Sequence, residues 1–143
     1  MREILFRGKR VDNGKWVEGS LYYDPDLEQS QIYGFNYTYN NETGEERECF
    51  HYLVIPETVG QYTGLTDKNG KMIYENDILN CEVVGIQYPA KVVFKNGSFG
   101  VAYTHIGIDY FNPFTSYVES VEFEIIGNIY GEKQKSDNVI ENA

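Results

Sequence analysis

Along most of the chain apolar and polar residues alternate with a period of two, and Gly, Asn, Asp or Pro interrupts the alternation at short intervals. This pattern predicts many short, half-buried strands and no long amphipathic helix. A first hairpin is expected between residues 4–10 and 16–23, across Asp12-Asn13-Gly14-Lys15, because Asn-Gly readily takes the positive φ angles of a tight turn. Residues 24–29 read as an acidic loop. A second hairpin follows, joining 32–39 to 46–54 through Asn40-Asn41-Glu42-Thr43-Gly44. Pro56 ends that strand, since it has no N–H to donate to a ladder.

Beyond residue 55 the pattern changes character. Residues 56–71 are rich in Gly and Thr, with a turn at Asp67-Lys68-Asn69-Gly70. They lead to strands at 72–74, 78–84, 90–94 and 98–104, separated by turns at Glu75-Asn76-Asp77 and Lys95-Asn96-Gly97. Strands this short and this evenly spaced suit an SH3-like, partly closed barrel in the C-terminal half, because closure removes exposed edges. Residues 105–117 are aromatic but broken by Asn112-Pro113, and read as an irregular excursion with a short helical turn. A last strand is expected over 121–130, with Val121, Phe123, Ile125, Gly127 and Ile129 on one face. The fold expected is mainly β: short antiparallel strands, N-terminal hairpins and the C-terminal barrel. Residues 1–130 make a single β-rich domain, with a natural place to subdivide near residue 55. The polar tail, 131–143, lacks any period and is expected to be disordered.

Composition reinforces sheet, since 13 Tyr, 8 Phe and 1 Trp supply rings suited to pleated, half-buried surfaces. Trp16 is expected to be buried, with its indole N–H bonded. The net charge of −10 is uneven. Residues 1–20 hold five Lys or Arg against three acids, whereas residues 21–60 hold Arg47 alone against eight. An acidic field repels phosphate backbones, so nucleic-acid binding is disfavoured unless the basic cluster of Arg2, Arg7, Lys9, Arg10 and Lys15 escapes it. Residues 1–10 alternate charge with apolar residues, so neither a signal peptide nor an anchor is expected there; no apolar run is long enough to span a membrane, and Cys49 and Cys81 form no CxxC pair. A reduced, cytoplasmic setting is expected.

Catalytic and metal motifs fail on spacing. Five residues separate Gly64 from Gly70 where a phosphate loop needs four, and Met72 stands where Ser or Thr would hold magnesium. A calcium loop needs its glycine at the sixth position, whereas Asp67-Lys68-Asn69-Gly70 brings it at the fourth. His51 and His105 sit near no nucleophile or ligand set. Asp67, Glu75 and Asp77 are read as turn residues ahead of metal ligands. No enzyme and no cofactor is implied. The sharper signal is Tyr33, Phe35, Tyr37 and Tyr39, a ring at every second residue of one strand, which makes either a buried sheet face or a contact surface. A subunit or partner interface is the favoured use.

Three collinear blocks carry a resemblance. They are Phe6-Arg7-Gly8-Lys9 with Gly14-Lys15-Trp16-Val17-Glu18-Gly19, the run from Ile55 through Gly60, Gly64, Asp67 and Gly70 to Glu75-Asn76-Asp77-Ile78, and Ile125-Ile126-Gly127-Asn128-Ile129-Tyr130. On these the chain resembles the YopX-like family of phage and prophage proteins. Asn76 stands where the family usually has Gly, and residues 24–48 match nothing in it. The resemblance implies a phage-derived, β-rich, oligomeric protein, with Gly60, Gly64, Asp67, Gly70, Glu75 and Asp77 shaping turns. Its partners would be itself and, beyond that, a host or phage protein. The alternative is a nucleic-acid-binding barrel that uses the basic cluster.

Overall fold

The computed structural model describes residues 2–83, 85–117 and 123–131. Eleven strands are present among them: β1 (Phe6–Lys9), β2 (Trp16–Asp24), β3 (Gln29–Asn40), β4 (Gly44–Val54), β5 (Gly60–Thr66), β6 (Met72–Tyr74), β7 (Asp77–Val83), β8 (Ile86–Lys95), β9 (Ser98–His105), β10 (Ile108–Pro113) and β11 (Glu124–Asn128). Every pairing is antiparallel. The chain divides into two compact units, one ending at Gln61 and the next beginning at Tyr62.

In the first unit β4, β3, β2 and β1 pair in that order, and β1 takes the start of β5 on its other side through Arg7↔Gly60 and Phe6↔Gln61. One face of this sheet holds the buried side chains Ile32, Val54 and Ser30. Thr58, in the 3-10 turn Pro56–Thr58, locks β1 to that core, its hydroxyl accepting from Lys9 N (2.9 Å) and donating to Ile55 O (2.6 Å). Gly34 is a close-approach glycine. The Phe50 ring lies where a Cβ at position 34 would stand.

The second unit contains a five-stranded sheet in the order β10-β9-β8-β7-β11, with the later part of β5 pairing β6. Its core comprises Ile73, Leu79, Cys81, Ala90, Val92, Val101 and Phe123, with Tyr103, Phe114, Tyr117 and Ile125 packed against it. The sheet ends in two edges, β10 and β11, so the described strands close into no barrel, and the expected SH3-like half is an open sheet.

Three local expectations need correction. Residues 108–113 are a regular strand, six residues in register with β9, and only Phe114–Ser116 form a 3-10 turn. Pro113 does not break the strand, because it is the last residue of β10 and β10 is an edge strand, where proline is tolerated. In the last strand a bulge between Ile125 and Gly127 shifts the register, so Ile129 leaves the face assigned to it and is exposed. Trp16 is half-buried, covered by the Arg7 guanidinium at 4.5 Å and the Lys9 ammonium at 5.5 Å from its ring. Part of the expected last strand, residues 118–122, and the polar tail from 132 lie outside the described residues.

Candidate functional site

The second hairpin is where sequence pattern and geometry converge. β3 and β4 pair over eleven positions, from Ser30↔Val54 to Asn40↔Gly44. Residues directly opposite each other point to the same side, so Tyr33, Phe35, Tyr37 and Tyr39 share a face with His51, Cys49, Arg47 and Glu45. Tyr22 extends that face through its ring contact with Tyr33. The core on the opposite face stops at Ile32, so the outer half of the hairpin has no packed layer on either side. Exposure accordingly climbs along the four rings, through 37, 49, 63 and 78%.

The rings are not loose. Tyr33 stacks on His51 with centroids 5.3 Å apart and donates its hydroxyl to Gln31 (3.0 Å), while the Arg47 guanidinium lies 4.5 Å from the Phe35 centroid. The strand parity also sorts charge. Glu46 and Glu48 pair with Thr38 and Asn36 on the reverse side, leaving Arg47 and Glu45 as the ionic residues of the aromatic face between residues 33 and 51. Such a surface suits docking, with Arg47 set among the rings and Glu45 at the outer end.

The motif residues serve the fold. Asp67 is 6% exposed, and its Oδ1 accepts from Asn69 N and Lys71 N (both 2.9 Å) while Oδ2 accepts from Ile125 N (3.1 Å). Burial opposes its charge, but the three backbone donors outweigh burial and hold its pKa below the usual carboxylate range. Asp77 is buried likewise, accepting from Tyr74 N (2.8 Å) and from the Asn128 side chain (2.9 Å). The turn between them needs a positive φ at Asn76, 72°, where asparagine is tolerated. Gly64 and Gly70 are also left-handed, at 89° and 80°, Gly60 is buried opposite Arg7, and Glu75 is half-buried in the Asn76 turn. Among the described residues, no group of three or more His, Cys, Asp or Glu side chains could hold a metal.

The basic cluster is partly engaged by its own unit. Arg10 donates to both oxygens of Asp12 (2.9 and 2.7 Å), a hydrogen bond that lowers the Asp12 pKa, and lies 3.6 Å from the Tyr52 ring centroid. Arg7 and Lys9 cover Trp16, while Arg2 and Lys15 are exposed. His105 Nδ1 is 2.7 Å from the Tyr88 hydroxyl. Sequence reasoning missed that bond because β8 and β9 bring the pair together only in the sheet. Burial pushes the Cys81 thiol up to about 12, whereas Cys49 is exposed on the aromatic face. No helix among the described residues is long and apolar enough to cross a membrane.

Taken together, the fold and this face define a mainly-β protein with an exposed aromatic face on its second hairpin. The chain belongs to the YopX protein family, whose model matches residues 5–134. Among solved structures it is similar to protein EF1440 from Enterococcus faecalis, with a TM-score of 0.56 and 20% identity over 91% of this chain and 95% of that one. That likeness concerns the fold. No curated protein matches the chain.

Proposed function

We propose that this chain is a phage- or prophage-derived accessory protein of the bacterial cytoplasm that acts through protein–protein contacts, not catalysis, and that its aromatic hairpin face joins it to a second copy of itself. The observation that carries this reading is the outward face of β3, where Phe35, Tyr37 and Tyr39 are 49, 63 and 78% exposed in adjacent same-face positions. A monomer would leave that patch in water, whereas pairing it across a twofold axis covers both copies with one surface.

Size exclusion with light scattering tests it. The chain at tens of micromolar is expected to run as a multiple of 16.5 kDa. Tyr37→Asp with Tyr39→Asp places charge on two exposed rings and is expected to dissociate it, with the far-ultraviolet circular dichroism unchanged. A monomeric unmodified chain refutes the assembly, and unfolding by the double variant refutes the placement of these rings on a contact surface.

A further inference from the structure

The second unit carries a groove of about 820 Å³ on the side of β8–β9–β10 that faces away from the core. The register explains most of its lining, with Tyr88, Tyr103 and Tyr110 added from positions of core-side parity. Core side chains occupy even positions of β8 and odd positions of β9, so Lys91 and Lys95 of β8 and Ala102 and Thr104 of β9 fall on the reverse face. Ile78, Lys91, Ala102 and Phe111 form one cross-strand row, and Thr104 with Asp109 forms the next, about 7 Å further along the strands.

Three features make this more than a gap between side chains. First, the Phe111 ring is laid down on bare backbone, because a Cβ at Gly100 would stand 2.7 Å from its Cε2 and also meet the Asn112 carbonyl. Second, a cation reaches the ring. Lys95 begins two rows from Phe111, yet its ammonium lies 5.8 Å from that ring's centroid, and Lys91 stands on the same face in the row of Ala102 and Phe111. Neither lysine is in a salt bridge among the described residues. Third, the rim is strained. Ile106, at the tip of the β9–β10 hairpin, has a φ of 51°, rare for a β-branched residue, and is 85% exposed. Strain of this kind collects at binding sites.

The groove thus has two lysines on one face, an aromatic and apolar floor, and an acceptor carboxylate one row from Lys91 and Phe111, where Asp109 accepts from Thr104 (2.7 Å). A ligand matching all three needs an anionic group, a flat ring and a hydrogen-bond donor beyond it. We propose that the groove is a binding site for a nucleoside monophosphate, with Lys91 and Lys95 holding the phosphate, Phe111 packing against the nucleoside, and Asp109 accepting from a sugar hydroxyl or a base amino group. Lysine suits phosphate as a point charge, and the volume is that of a small-molecule site. This site is independent of the hairpin face.

Calorimetric titration of the full chain with AMP, CMP, GMP and UMP, and separately with adenosine and inorganic phosphate, tests the assignment. At least one nucleotide is expected to bind saturably, with adenosine and phosphate each about tenfold or more weaker. Lys91→Gln and Lys95→Gln are each expected to weaken the nucleotide by about tenfold. Amide chemical-shift mapping on the unmodified chain is expected to place the changes at Lys91, Ala102, Thr104, Asp109 and Phe111, which keeps the test open if a variant fails to fold. The proposal is overturned by no saturable nucleotide binding up to millimolar concentration, by phosphate binding as tightly as the nucleotides, or by shifts that map elsewhere.

Discussion

Asp67→Ala removes one side chain that serves three backbone donors on two separate segments. The losses are unequal. Asn69 and Lys71 are exposed loop residues, so water replaces much of what Oδ1 supplied to them. Ile125 N, at the start of β11, is part-buried and loses its bond to Oδ2. A hydrogen bond to a charged acceptor contributes about 1.5–3 kcal/mol, so one full loss and two partial ones give a cost of roughly 2–4 kcal/mol. Against a typical domain stability of about 5–15 kcal/mol this is a large effect, readable from urea unfolding followed by circular dichroism. The pH dependence gives a second handle. Asp67 has its folded pKa below the ordinary value, so its contribution is fully present above the unfolded value of about 4 and is lost as pH falls through the folded one. Asp67→Asn is therefore expected to be less stable than the parent at neutral pH, with the gap narrowing below about pH 4. A cost under about 1 kcal/mol for Asp67→Ala, or a gap that ignores pH, refutes the clamp.

Ile106→Asn relieves a left-handed backbone at a site whose side chain is already in solvent, and is expected to stabilise the chain by about 1 kcal/mol in the same unfolding assay; a loss of stability would show that the turn is not strained. Of the two thiols, Cys49 is expected to react promptly with a disulfide reagent at pH 8 while Cys81 reacts only on unfolding, and equal native rates would contradict the burial that raises the Cys81 pKa.

The hairpins were legible because their signals are local. Asn40 to Gly44 joins two alternating runs, and the structure pairs them over that same connection, with strands longer by a few residues at either end. Asn96-Gly97 likewise sits where a two-residue turn needs two positive φ angles, 53° and 79°. The β9–β10 turn escaped notice because Ile106-Gly107 uses the same left-handed pair with a residue that sequence rules exclude from it. Without that turn, residues 108–113 lost their partner and read as irregular. The bulge in β11 was equally invisible, since one extra residue leaves no mark on composition. Asp67 was recognised as a turn residue, but its bond to Ile125 spans 58 positions and no local rule reaches that far.

Net charge was the least transferable of the sequence signals. A total of −10 argues against anionic ligands only if the acids and the lysines share the same space, and strand parity separates them. On β4 the alternation Glu45, Glu46, Arg47, Glu48 sends Glu46 and Glu48 to the side opposite the rings, so the acidic hairpin presents an aromatic face with Arg47 inside it. On β8 the same parity sends Lys91 and Lys95 to one side together. Screening completes the separation, because at physiological salt the field of an exposed charge fades over about 8 Å, little more than two residues along a strand. The potential at each of the two proposed surfaces is therefore set by the few charges in its own rows, and the whole-chain excess bears chiefly on solubility. Binding at either surface should then respond to Arg47 or to Lys91 and Lys95 far more than to neutralising the acids of the 24–28 turn.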